Sequence, residues 1–174
     1  LGSIQYTIAK FYRINGGSTQ HKGVEPDILF PSAVDPADWG ESQEDNALPW
    51  DSIKKEKYAA SGDFVQDVQV LKQQHQVRIK LDPEFNYLNE DITEYNLNKD
   101  KKYASLNKKT RIKERDDLKA KRLARANERL ARLNLKPIKS MDDLPDKVAD
   151  LDPFLEETAR ITSDLVIQGR YAKK

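Results

Sequence analysis

The chain has 174 residues, no cysteine and a formal net charge of +1 at pH 7, with 34% charged and 8% aromatic residues. The lack of cysteine excludes a disulfide framework and a cysteine-ligated metal site, and no apolar run approaches the ~18 residues of a membrane span. Because so charged a sequence leaves a lean core for this length, we expect two pieces, a strand pair and a helical domain.

The N-terminal segment has the pattern of a β-hairpin. Residues 4–31 read IQYTIAKFYRINGGSTQHKGVEPDILFP, and apolar and polar residues alternate from Ile4 to Ile8, as in a strand with one apolar face. Asn15-Gly16 is a turn signal, because both residues adopt a positive φ at low cost. An isolated hairpin is marginally stable, so the sequence predicts that this one belongs to a larger sheet.

This hairpin sequence resembles the tail-specific, or C-terminal processing, family of serine proteases. In that family a strand of the type T-x-A-[KR]-[FY]-Y leads through G-x-S-x-Q-x-K-G into a [VI]-x-P-D close, and the spacing fits here without a gap. One departure is Ile14, where many shorter relatives have proline. The matching residues are Thr7, Ala9, Lys10, Phe11, Tyr12, Gly16, Ser18, Gln20, Lys22, Gly23, Val24, Glu25, Pro26 and Asp27.

The resemblance implies a serine nucleophile and a lysine general base, and neither of their segments occurs in this sequence. In the family, the lysine lies in an F-G-K-G-x-x-Q type segment shortly before the hairpin, and the serine lies further upstream. Ser18 and Lys22 imitate such a pair, but they are four residues apart in a turn-rich connection. We therefore expect no catalytic, cofactor-binding or metal-binding residue, and an inactive fragment of a longer protease.

The chain changes character after the hairpin. Residues 32–47 are acidic and predict a surface loop, in which Trp39 is buried or caps a groove. In the family, the segment that follows tethers a helical tail to the protease core, and Trp50 is the candidate anchor. The predicted domains are 1–31, the last hairpin of the protease core; 32–49, a linker loop; and 50–174, a helical C-terminal domain.

Three helices have clear start signals. Asp63 precedes a helix that runs to about Leu81, and Asp82-Pro83 and Asp152-Pro153 each combine a capping residue with proline at the first helical position. Their apolar stripes predict a small helical bundle. The stripes are Phe64, Val68, Leu71, His75 and Ile79; Phe85, Leu88, Ile92 and Tyr95; and Phe154, Leu155, Ala159, Thr162, Leu165 and Val166. The residues expected in the core are Phe64, Leu71, Phe85, Leu88, Ile92, Phe154 and Leu165.

His75 lies within the apolar stripe of its helix. The other histidine, His21, lies in the predicted hairpin, so the two have no metal-ligand spacing. The position predicts a histidine in a core or an interface.

A long basic helix is predicted from Leu106 to about Leu133, with Ser105 as its cap. Residues 99–132 contain 14 Lys or Arg and 5 Asp or Glu, a net charge of +9, so the rest of the chain carries −8. Such asymmetry fits a nucleic-acid face, a membrane-surface helix, a surface for a charged partner or substrate, or a solvated strut. The lack of a zinc-finger or RNP-type motif argues against nucleic acid.

Two classes of function remain. The first is the C-terminal, non-catalytic portion of a tail-specific serine endopeptidase, which binds proteins by their apolar C-termini and uses a Ser/Lys dyad outside this sequence. The resemblance implies the periplasm of the Gram-negative cell envelope, free or membrane-associated, with protein substrates and an adaptor protein as candidate partners. The open edge of the predicted hairpin adds self-association as a further candidate. The second class is a stand-alone helical adaptor with a basic arm.

Overall fold

A computed structural model describes residues 2–4, 6–34, 40–58 and 64–168, with the side chains in these ranges except those at positions 41 and 64–67. The fold is mainly helical, as predicted. Within the described ranges, no helix is both long and apolar enough to cross a membrane. The α-helices are α1 (Phe64–Leu81), α2 (Pro83–Asn98), α3 (Lys108–Arg132), α4 (Asp146–Ala149) and α5 (Pro153–Gln168), with 3-10 turns at Glu41–Gln43 and Met141–Asp143.

The chain divides into two compact units. Unit 1 combines Leu1–Asn96 with Glu157–Lys174, and unit 2 is Leu97–Glu156. Unit 1 is therefore discontinuous in sequence, because the chain leaves it after α2 has almost ended and returns to it within α5.

The predicted N-terminal hairpin is not confirmed. Among the described residues, pairing is limited to two isolated antiparallel bridges, Tyr12 with Ser18 and Gly17 with Ser52. An apolar strand face forms a stable sheet only when other strands or a helix cover it, and here that face remains open. The exposed side chains on this segment include Ile4, Tyr6, Ile8 and Phe11.

The core of unit 1 lies between α1 and α2. Leu71 and His75 on α1 and Phe85 on α2 are buried, which confirms the predicted faces of both helices at these positions. The Phe30 ring packs against the imidazole of His75, with the ring centroids 4.8 Å apart. On the rest of the predicted α2 stripe, Leu88 and Ile92 are half-buried and Tyr95 is exposed, while the side chain of Phe64 lies outside the described residues.

The predicted face of α5 is wrong at every position of its stripe except Leu165. Phe154 was expected in the core, but its side chain is 41% exposed, and Glu157 is buried instead. The inward face runs from the buried Glu157 to the half-buried Ile161 and Leu165, so Leu165 lies on the expected side, and Glu157 pairs with Arg78 of α1. The other expected stripe residues that are exposed are Leu155, Ala159, Thr162 and Val166.

Unit 2 is built on α3. The helix begins two residues later than predicted, because Asn107 and not Ser105 is the cap. The Asn107 Oδ1 accepts the backbone N–H groups of Lys109 at 2.9 Å and Thr110 at 3.4 Å. The C-terminal half of α3 packs against Met141–Asp143 and α4. The buried residues of this contact region are Ala126, Leu130 and Val148.

Candidate functional site

A tight turn at Asn15-Gly16 organises the N-terminal segment. Gly16 N–H donates to the carbonyl of Arg13 at 2.8 Å, and the Asn15 side-chain oxygen accepts the N–H of Gly17 at 3.0 Å. Gly16 has φ +86°, a left-handed conformation that favours glycine. The turn signal in the sequence therefore predicted this geometry correctly.

Residues 49–56 pair with this turn along their backbone. We call the two paired segments, residues 10–18 and 49–56, the junction. Backbone hydrogen bonds hold the junction together as well as side-chain contacts. The pairing of the two segments therefore depends on the backbone conformation of the turn. The bonds run from Ser18 N to Asp51 O at 3.0 Å, from Ile53 N to Gly16 O at 2.8 Å and from Glu56 N to Ile14 O at 3.1 Å.

Asp51 is the centre of the side-chain contacts in the junction. Its Oδ2 accepts hydrogen bonds from Lys10 Nζ at 3.1 Å and from Tyr12 OH at 3.0 Å. The hydrogen bond from Lys10 is the main reason that the pKa of Asp51 is lowered, and the hydrogen bond to Asp51 raises the pKa of Tyr12. Asp51 thus stays ionised and joins the two segments electrostatically.

Trp50 has a smaller part in the junction than predicted. Its side chain is 42% exposed, and the Lys22 ammonium lies 4.6 Å from a ring centroid, which is a cation–π geometry. The segment singled out in the sequence does contact residues 10–18, but the sequence analysis missed Asp51, whose side chain and backbone make these contacts. A signal was available, because Asp51 has the charge opposite to that of Lys10 in the predicted strand.

The structure gives Ser18 and Lys22 separate roles. The buried Ser18 hydroxyl accepts the backbone N–H of Asp51 at 3.2 Å, whereas Lys22 lies over Trp50. A serine that accepts a backbone N–H and a lysine on an aromatic face both stabilise the local fold. Trp39 lies outside the described residues, and the predicted lack of catalytic, cofactor and metal residues stays a prediction.

An open cavity of about 400 Å³ borders the junction. The charged residues that line it are Arg13, Lys22, Glu25 and Asp27. Two cations and two anions give the cavity no net preference for a charged ligand of either sign.

A second polar cluster joins α1 to α5 inside unit 1. The carboxylate of Glu157 contacts His75 Nδ1 at 3.0 Å and accepts Arg78 Nε at 2.9 and 3.0 Å, while Arg78 also donates to Asp164 at 2.6 Å. His75 and Glu157 are each about 2% exposed, so the prediction of a core histidine is confirmed. The role of Glu157 was missed, because nothing local in the sequence shows a partner 82 positions away.

Opposing effects set the pKa of Glu157. Burial raises it, but hydrogen bonds from Arg78 and then His75 lower it by more, so the net pKa lies below the usual glutamate value. The hydrogen bond to Glu157 in turn raises the pKa of Arg78. The cluster therefore holds a buried carboxylate in its charged form and acts as a structural connection between the helices.

The turn gives a direct test of the junction. In Gly16→Ala, the new Cβ would lie 2.2 Å from the carbonyl oxygen of Ile53, so the paired segments must move apart. We expect the Ile53 amide to exchange with solvent at least ~10-fold faster, since its hydrogen bond to Gly16 is lost. The matched control is Gly23→Ala, which also has a positive φ but has nothing within 4 Å of the new Cβ. Equal exchange in both variants would contradict the described pairing.

Comparison with known proteins identifies the family of the chain. Residues 34–167 match the family model for the C-terminal domain of tail specific protease. The chain belongs to this family, which confirms the resemblance seen in the hairpin motif. Over 170 residues it is 46% identical to the tail-specific protease of Haemophilus influenzae, a match that covers 96% of this chain and 24% of that relative. The chain thus spans about a quarter of the length of the curated relative.

Proposed function

We propose that the chain is the non-catalytic C-terminal portion of a tail-specific serine endopeptidase, which acts in the periplasm on proteins recognised by their apolar C-termini. The family membership and the motif in residues 7–27 support this assignment. The single observation that carries a role for this portion is the junction. Its contacts suit a brace that holds the helical region against the strand segment of the protease core.

The same proposal accounts for the open strand face. We assign 1–31 to the protease core, 32–49 to a linker and 50–174 to the helical domain. The side chains of Ile4, Tyr6 and Ile8 are 76–87% exposed, and a group of exposed large apolar side chains often marks an interaction site. The remainder of a protease core would cover it, and in its absence the open edge favours self-association.

A stand-alone adaptor with a basic arm is the second candidate. The observation in its favour is the exposed N-terminal half of α3, which is rich in cations. Proteolytic activity distinguishes the two candidates. A stand-alone adaptor binds its partner without a protease core, whereas the endopeptidase portion contributes to proteolysis only when it is joined to that core.

Proteolysis of an unstructured protein with an apolar C-terminus tests the assignment. We expect no turnover by the 174-residue chain and robust turnover by the full-length enzyme. Ser18→Ala in the full-length enzyme should keep activity within the same order of magnitude, whereas loss of a catalytic nucleophile costs a factor of about 10³ or more. Turnover by the chain alone that Ser18→Ala abolishes would refute the proposal.

The bracing role has its own test in the full-length enzyme. Asp51→Asn removes the charge that Lys10 and Tyr12 contact, so we expect a lower midpoint of thermal inactivation. The matched control is Asp45→Asn, a change at an exposed acidic residue of the preceding loop, which should leave the midpoint unchanged. Identical midpoints for the two variants would remove the support for a brace.

A further inference from the structure

The N-terminal half of α3 presents a row of cations on one side. Every residue from Lys108 to Ala120 is exposed. Residues three or four positions apart lie on the same helix face, and the row of five such cations extends about 21 Å along the axis. We call these residues the basic strip: Lys108, Arg111, Arg115, Lys119 and Arg122.

The charges at the start of α3 oppose the helix dipole. The first turn contains no acidic residue, and Lys108, Lys109 and Arg111 lie near the N-terminus, where the backbone carries partial positive charge. Cations at this end destabilise the helix, so the stability of α3 by itself does not explain why they are there. A negatively charged partner along the strip would remove the repulsion.

The other half of α3 shows what kind of segment packs on this helix. There the helix contacts Met141–Asp143 and α4, and Val148 of α4 is buried. Both elements lie in residues 141–152, a segment that combines acidic residues with aliphatic ones. Its charged residues are Asp142, Asp143, Asp146, Asp150, Asp152 and Lys147, and its aliphatic residues include Leu144, Val148 and Leu151.

The basic strip continues the face that this acidic segment covers. Steps of three or four residues lead from the buried Leu130 and Ala126 back along the helix to Lys119 and Arg115. Ile112 lies on the same face and is 37% exposed, so the open half also offers an aliphatic contact. One helix face is thus apolar where it is covered and basic where it is open, and among the described residues it packs against the acidic segment in its second half.

We propose that the basic strip of α3 binds an acidic, aliphatic-bearing segment of a partner protein. Exposed cations on a straight helix complement such a segment, and complementary charge speeds association and selects the partner. A membrane surface fits less well, because the open half has only Ile112 and Leu118 as large apolar residues. Nucleic acid also fits less well, because its phosphate backbone makes no use of the aliphatic contact that Ile112 offers beside the strip.

The test uses the 174-residue chain and a fluorescein-labelled peptide with the sequence of residues 141–152, followed by fluorescence anisotropy at low salt. The strip variant is Lys108→Glu with Lys119→Glu, and the matched control is Lys109→Glu with Lys113→Glu, which makes the same change of charge on another face. We expect the strip variant to weaken peptide binding by ~10-fold or more and the control by ~3-fold or less, with both effects reduced at high salt.

Three outcomes would overturn the proposal: equal weakening in the two variants, no binding of the peptide by the wild-type chain, or binding that survives when every aspartate of the peptide is replaced by asparagine. Duplex DNA and vesicles containing phosphatidylserine are measured in parallel. If DNA or vesicles bind more tightly than the peptide, and the strip variant weakens that binding, then DNA or the membrane, and not an acidic protein segment, is the ligand. Circular dichroism checks that the variants fold. If a Lys→Glu variant does not fold, the corresponding Lys→Gln variant takes its place.

Discussion

Replacing Phe85 by alanine is expected to lower the free energy of unfolding by about 3–5 kcal/mol, the usual cost of removing a buried aromatic ring. Phe85 is 1% exposed, and its ring centroid lies 6.0 Å from that of Phe30 and 6.5 Å from that of His75. The substitution removes these contacts together and leaves a cavity between α1 and α2. Urea denaturation followed by far-UV circular dichroism measures the loss.

Leu97→Ala is the matched control for Phe85→Ala. Leu97 lies on the same helix and is 74% exposed, so we expect a change below about 0.5 kcal/mol. A loss of less than about 1 kcal/mol for Phe85→Ala would mean that α2 buries a different face.

Glu157→Gln is expected to destabilise the fold by about 2–4 kcal/mol, because it removes the negative charge that Arg78 contacts in a buried site. Glutamine keeps the shape of the side chain, so the loss reports the charge and its hydrogen bonds. Glu156→Gln changes the neighbouring, exposed residue and should have little effect. Similar unfolding midpoints for the two variants would show that the cluster does not stabilise the contact between α1 and α5.

The effect of Glu157 should also depend on pH. Its pKa in the folded chain lies below the ordinary value of 4.5, so the unfolded chain binds a proton first as the pH falls. The stabilisation is therefore complete above the ordinary value and is lost as the pH falls through the lower, folded value. We expect the difference in unfolding free energy between wild type and Glu157→Gln to be largest at neutral pH and to shrink steadily as the pH falls below 4.5. A constant difference would contradict this assignment.

The start of α2 and the buried face of α1 were predictable because they depend on short-range chemistry. The Asp82-Pro83 pair predicted the start of α2 at Pro83, where the Asp82 side chain accepts the N–H of Glu84 at 2.8 Å. The periodicity of α1 predicted that Leu71 and His75 share the buried face. Each of these signals lies within one or two helical turns, so the sequence alone was sufficient.

The face of α5 and the centre of the junction were not predictable in the same way. Apolar periodicity favoured Phe154, but the position of α5 depends on Glu157, whose partners His75 and Arg78 lie far away in sequence. Asp51 likewise finds Lys10 and Tyr12 across about 40 residues. A glutamate is normally assigned to the surface of a helix unless a buried cationic partner is known. A prediction from hydrophobic periodicity therefore places Glu157 on the solvent-facing side of α5.

The discontinuous unit 1 has a consequence for synthesis on the ribosome. His75 and Glu157 are 82 positions apart, and all of unit 2 lies between them. At ordinary translation rates the ribosome needs roughly 4–16 s to make that stretch, during which Leu71 and Phe85 have already emerged without α5. Unit 2 can fold during this delay. By contrast, α1 and α2 still lack α5, so His75 and Arg78 have no contact with Glu157. A nascent chain stalled before residue 157 should therefore be a better target for chaperones than the finished one.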